Sequence, residues 1–163
     1  MASRKPSELP LAALAGGKIV TIDVGGARMG VAVSNNARTV ALPRGIWPAP
    51  WAQLKMKLAE EKQAGCTLVV LGLPLNMDGT YGPMATKVTS LADLIEKELA
   101  LPVLLWDERL TSRQMEAAFF EQRAEGREGR RQTRATKKES VGHTDAGAAT
   151  LILQGVLDAL ASR

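Results

Sequence analysis

The sequence predicts an α/β domain in which a mixed five-stranded sheet carries helices on both faces. Three observations lead there. Between residues 18 and 46, three short apolar runs of β type follow one another with no helical spacing between them. From residue 51 onward, apolar residues recur at spacings of three and four in blocks that alternate with further β-type runs. One of those runs, TLVVLGL at 67–73, is almost continuously apolar, as expected of a strand buried on both faces. Hairpin strands followed by alternating helices and strands give a sheet that is antiparallel at one side and parallel at the other.

The elements are expected in this order. Residues 1–17 form a flexible N-terminal extension ahead of a single domain, 18–163. Arg4 and Lys5 before LPLAALAGG imitate a signal peptide, but Glu8 and Pro10 interrupt the apolar stretch and a strand follows almost at once. Strand one spans 18–24. Gly25 and Gly26 turn the chain into a second strand at 29–34. A third strand fits 39–46, before Pro48 and Pro50 break the chain. Trp51, Leu54, Leu58 and, less regularly, Met56 mark a helix that stops near Gly65. After the buried strand comes a turn-rich loop, PLNMDGTYG. Pro83 suits the first turn of a helix whose face is Val88, Leu91, Leu94, Ile95 and Leu99. A short strand at 102–106 ends in Asp107 and Glu108. Thr111 and Gln114 fit a capping box for a helix to about Phe120. The arginine-rich stretch 125–142 lacks apolar periodicity and is expected to be a mobile loop. A last helix opens at Thr144 or Asp145 and runs to Leu160.

Composition narrows the function class. The chain has 163 residues, 45% of them hydrophobic and 23% charged, which suits one globular domain with a real core. No stretch approaches the ~20 apolar residues of a membrane helix. Cys66 is the only cysteine, which excludes an intrachain disulfide and a cysteine-based metal site and points to the cytoplasm. The net charge of +4 is local: REGRRQTRATKK at 127–138 carries six basic residues and one acidic, leaving the remainder slightly acidic. Such a run is either a solvated loop or a contact for polyanions.

The acidic residues are more telling. Asp23 interrupts an apolar strand, and a buried carboxylate is costly unless it is paired or holds a metal. Asp107 and Glu108 end a later strand, and Asp145 opens the last helix. If the two strands are parallel neighbours, their ends share the sheet edge at which open α/β sheets bind ligands. Each residue also has a plain structural reading: Asp23 could satisfy the Gly25-Gly26 turn, Asp107 could cap the loop before the next helix, and Asp145 could favour the positive end of its own helix. Gathered at one edge they would repel one another, and a hard divalent cation is the usual means of holding such a cluster ionised.

Four stretches in order, IDVGGARMGVAVS (22–34), VVLGLPLNMDG (69–79), DERLTS (107–112) and TDAGAATLILQGVLD (144–158), resemble the YqgF family, also called RuvX. Its members are described as Holliday-junction resolvases and pre-16S ribosomal RNA nucleases with a ribonuclease H-like fold. The resemblance covers residues 18–160. It departs from the family pattern at Ala27 and at Ala146 and Gly147, none of which is an expected ligand. It implies a catalytic and metal-binding set of Asp23, Glu108 and Asp145. Adjacent strand residues face opposite ways, so Asp107 and Glu108 cannot both point into one site, and the longer Glu108 is the one expected to reach it.

The chemistry implied is hydrolysis of phosphodiester bonds in structured nucleic acid, RNA precursor or branched DNA, with two Mg²⁺ or Mn²⁺ ions and Asp23 as the bridging ligand. Arg28 and Arg109 are expected near the scissile phosphate, although Arg109 could equally pair with Asp107. Arg130, Arg131, Arg134, Lys137 and Lys138 would hold the backbone without reading sequence. His143 could move a proton, and Trp47 and Trp51 could stack on bases, whereas Trp106 belongs to the core. Junction resolvases usually act as dimers, so a homodimer is compatible with the resemblance, though no dimer face is legible. Two other readings compete: a non-catalytic nucleic-acid-binding module of the same fold, and a phosphate-binding turn of the actin-like ATPases. The latter place ATP between two duplicated domains, and this chain has one.

Overall fold

The computed structural model describes residues 8–25, 28–110 and 145–161. A short helix, α1 (Leu11–Ala15), precedes strands β1 (Lys18–Val24), β2 (Arg28–Ser34) and β3 (Ala41–Pro48). Helix α2 (Trp51–Gln63), strand β4 (Cys66–Leu73), helix α3 (Pro83–Leu99), strand β5 (Val103–Asp107) and a last helix, α4 (Asp145–Ala161), follow. The sheet order is β3-β2-β1-β4-β5. β1 pairs antiparallel with β2 and β2 with β3, while β4 runs parallel to both β1 and β5. This is the mixed five-stranded sheet that the sequence predicts.

Alternation along the central strands sorts side chains into two cores. Val20, Ile22 and Val24 of β1, with Val69, Leu71 and Leu73 of β4, pack under Leu54 and Leu58 of α2 and Val88, Ala92 and Ile95 of α3. Ile19, Leu68, Val70 and Leu104 point the other way, against Ala149, Ile152, Leu153 and Val156 of α4. Both faces of β1 and β4 are therefore covered, which is why these strands read as largely apolar runs, broken in β1 by Thr21 and Asp23. The edge strand β3 reaches Pro48, two residues beyond its expected end. It accommodates Pro43 and Pro48, and an edge strand can do so because one row of its backbone groups has no ladder partner.

Individual side chains depart from the periodic pattern. Leu94, grouped with the apolar face of α3, is exposed, as is Met56 of α2. Glu61, by contrast, is buried on α2 and accepts from Lys18 at 3.3 Å and Arg44 at 2.6 Å, tying α2 to β1 and β3. Trp47 is buried in the first core and so cannot stack on a base, and the Trp51 indole N–H donates to Glu98. Trp106 packs against the second core, as expected.

The described part of the N-terminal extension packs against the domain. Leu9 and Ala13, at 6% and 2% exposure, belong to the second core. Arg38 holds this segment down: its guanidinium donates to the carbonyls of Ala13, Gly16 (2.8 Å) and Gly17 (2.9 Å) and to Thr67 Oγ1 (3.1 Å). The C-terminal carbonyls of a helix lack partners within it, and here an arginine supplies them. Gly17 adopts φ +95°, and a Cβ there would stand 2.5 Å from Thr67 Oγ1, so only glycine lets the chain pass. Arg38→Ala is expected to cost about 1–3 kcal/mol, because it orphans several carbonyls at once. It should also expose the first 17 residues to limited proteolysis, while an unchanged digestion pattern would show that α1 docks by its apolar side chains alone.

Candidate active site

The C-terminal ends of β1, β4 and β5 meet at one edge. Asp23 lies one position beyond the Ile22–Leu71 pair, beside Gly72 of β4, and Gly72 in turn pairs with Trp106 of β5. On its other side Asp23 pairs with Gly30 of β2. The carboxylate thus stands between two strand positions that have no side chain. It faces α4, since Asp23 has the parity of Ile19 on β1.

Glu108 follows β5 directly, where residues 108–110 begin a helical turn. Strand alternation stops at Asp107, so the face of Glu108 is set by its contact with Gly72 rather than by parity. Its side chain folds back over β4: a Cβ on Gly72 would stand 2.6 Å from Glu108 Oε1 and 2.9 Å from Ile152 Cδ1. Glu108 hydrogen-bonds Asp23. Burial, then the charge and hydrogen bond of Asp23, and lastly the charge of Asp107, push its carboxyl up from 4.5 to about 7.

Asp107 does something else. It has the parity of Val103 and Leu105, and it accepts from Arg109 through the backbone N–H (3.0 Å), Nε (3.0 Å) and Nη2 (2.7 Å). It therefore caps the turn that carries Glu108, and Arg109 makes the pairing with Asp107 that the sequence allowed. Arg28 opens β2 with an exposed side chain. Gly25 lies close to Arg28: a Cβ on Gly25 would stand 2.3 Å from the Arg28 carbonyl oxygen, backbone that cannot give way.

The structure brings Asp23 and Glu108 together and begins α4 at Asp145, whose side chain lies outside the described part. Among the described residues no group of three or more potential metal-ligating side chains occurs. Arg130, Arg131, Arg134, Lys137, Lys138 and His143, together with the capping box at Thr111 and Gln114, also lie outside the described residues. Gly72 is the site residue that sequence reasoning passed over. The signal was there, because a lone glycine inside a buried strand marks a close approach by another group.

The raised Glu108 carboxyl fixes the sign of a pH effect. Its folded-state value lies above the ordinary 4.5, so its contribution to stability is fully present below about pH 4.5 and is lost as pH rises through about 7. In metal-free buffer, Glu108→Gln should therefore gain on the wild type between pH 5 and pH 8. The gain should reach on the order of 1–2 kcal/mol, after discounting for the water that a half-buried carboxylate retains. Thermal melts across that range check it; a difference that stays flat with pH would mean that Glu108 titrates normally.

The two acid-bearing strands, β1 and β5, are not neighbours as expected but lie on either side of β4, parallel to it. A mixed sheet in the order 3-2-1-4-5, with helices on both faces and carboxylates gathered across β4 at one sheet edge, places the chain in the ribonuclease H-like class. The RuvX family model, described as Holliday junction resolvase, matches residues 17–159, and the chain belongs to that family. A protein of Novosphingobium aromaticivorans named "Putative pre-16S rRNA nuclease" is 36% identical over 99% of this chain and 97% of its own length. Proteins of the same name from Rhodobacter capsulatus (38% identical; 89% of this chain, 86% of that one) and Acidiphilium cryptum (33%; 88% and 85%) are similar to it as well.

Proposed function

We propose that the protein is a divalent-metal-dependent endonuclease acting on structured nucleic acid, with Asp23, Glu108 and Asp145 as its acidic set. The observation that carries this reading is the Asp23–Glu108 pair. Two carboxyl groups that share a hydrogen bond in a half-buried place, one of them raised to about 7, keep a proton where a cation would otherwise stand. All-oxygen donors of this kind suit Mg²⁺ or Mn²⁺. When bound, such ions activate water and neutralise charge on the phosphate and the leaving oxygen.

The chain's own residues divide the remaining work. Asp23 is the candidate bridge, because it stands on β1, the central strand of the five, and is flanked by glycines that leave its oxygens room. Glu108 supplies the second carboxylate from β5, and Asp145 is proposed as the third, from the start of α4. Arg28, exposed at the start of β2, is proposed to meet phosphate. The basic residues Arg130, Arg131, Arg134, Lys137 and Lys138 are proposed to grip the backbone through charge, without reading bases. Cys66 is buried, and burial pushes its thiol up to about 11, which keeps it unreactive and apart from the proposed chemistry.

The names of the relatives favour precursor ribosomal RNA as the substrate, whereas the description of the family favours branched DNA. A cleavage assay on pre-16S RNA, unstructured RNA and four-way junction DNA, with and without Mn²⁺, tests the proposal. Metal-dependent cutting of at least one structured substrate is expected. Binding without cutting in all three would move the reading to the non-catalytic module.

A further inference from the structure

The loop between β4 and α3 leaves the same sheet edge as the carboxylates and carries Met77 at 94% exposure, the highest among the exposed large hydrophobic side chains of the described residues. A single exposed methionine needs no explanation by itself. The backbone beneath it does. The Asn76 N–H donates to the Thr80 carbonyl (3.0 Å) and the Gly79 N–H to the Asn76 carbonyl (2.8 Å). Asn76 Nδ2 donates to Thr80 Oγ1 (3.0 Å), and both the backbone and hydroxyl of Thr80 donate to Asp78 Oδ1 (3.0 and 2.6 Å). Gly79, at φ +84°, makes the turn. The loop is internally braced, and Met77 projects from its tip into solvent.

That tip is tied to the site. Arg109 Nη1 donates a long hydrogen bond to the Met77 carbonyl (3.4 Å) while its other nitrogens hold Asp107, and Arg109 adjoins Glu108. We infer that Met77 is a wedge that enters the base stack of the nucleic acid next to the scissile phosphate, and that Arg109 sets its position; the inference rests on the nuclease reading above. Methionine suits the task because it is unbranched, polarisable and able to lie against an aromatic base. Apolar side chains inserted between base steps open the stack, and a braced loop loses little further freedom when it does so. Stacking contacts are blind to sequence, so the wedge would select for strands that open easily: a junction branch point or the end of an RNA stem.

The test uses 2-aminopurine, whose fluorescence rises when it is unstacked, placed at successive positions of a four-way DNA junction and of an RNA stem with a single-stranded flank. Saturating full-length protein is added in chelator, so that nothing is cut. Wild type and Met77→Leu should raise the signal several-fold at one or two positions, and Met77→Ser should leave it at the level of the free substrate. The DNA and RNA arms show which nucleic acid is opened. A rise that survives in Met77→Ser, or no rise on saturated wild-type binding, overturns the wedge while leaving the nuclease intact. Absence of binding to either probe, with no cleavage in the metal-dependent assay, removes both. Met77 is exposed, so matched melting temperatures for the three proteins are the expected control.

Discussion

Asp23→Asn is expected to lower cleavage by several orders of magnitude while the protein stays folded, with a metal-free melting temperature at pH 8 no lower than that of the wild type. Asparagine keeps the size and most of the hydrogen bonding of aspartate but removes the charge that would attract a cation. It also removes one cause of the raised Glu108 carboxyl. The burial cause remains, so Glu108 should still titrate above 4.5, though below the value of about 7 that it has beside Asp23. The result has two independent readouts, a cleavage rate and a titration of Glu108 followed by carbon NMR. If Asp23 only satisfied the Gly25-Gly26 turn, the variant would keep near-normal cleavage, and that outcome would sink the assignment of Asp23 to the metal.

Gly72→Ala should have the next largest effect, and through a different route. A methyl at this position would meet Glu108 Oε1 at 2.6 Å and Ile152 Cδ1 at 2.9 Å. Both atoms are ends of flexible side chains, so the fold can yield. Ile152 is fixed in the core beneath α4, whereas Glu108 lies at the rim, so Glu108 is the side chain expected to move. A displacement of about 1 Å at a reacting centre can cost ~100-fold in rate, and a loss of ~10- to 100-fold is expected here. The stability cost should be modest, about 1–2 kcal/mol for one extra methyl group in a packed place. A purely structural glycine would show the stability loss without any change in the titration of Glu108. The site reading demands that Glu108, driven away from Asp23 and toward solvent, return toward its ordinary range, with the pH dependence of metal-free stability shrinking accordingly.

Much of this protein is legible in one dimension. The strands β1 and β4 announce themselves because both of their faces are covered, so most of their positions are apolar and the exceptions stand out. Asp23 is such an exception, and so is Gly72, whose meaning became clear only when Glu108 was seen lying across it. The choice between Asp107 and Glu108 was open to a geometric argument from strand alternation, but the task of Asp107 was not. Its partner, Arg109, is two residues away in a turn whose shape depends on where β5 ends, and a short-range cap leaves no periodic trace.

The N-terminal segment shows the limit most clearly. LPLAALAGG is too short and too interrupted to predict as a helix, because a single helical turn is unstable in isolation. What holds α1 is Arg38, a residue 22 positions beyond Gly16, which reaches its carbonyls only because β2 and the turn after it bring the guanidinium there. The composition and the apolar periodicity of the chain determined its class, its sheet and the strand ends at which chemistry could sit. The tertiary structure alone decided which carboxylates touch, which arginine is already engaged and which loop is braced beside them. Those are contacts between residues distant in the chain, and their free energy depends on burial and angle, neither of which is written into a local pattern.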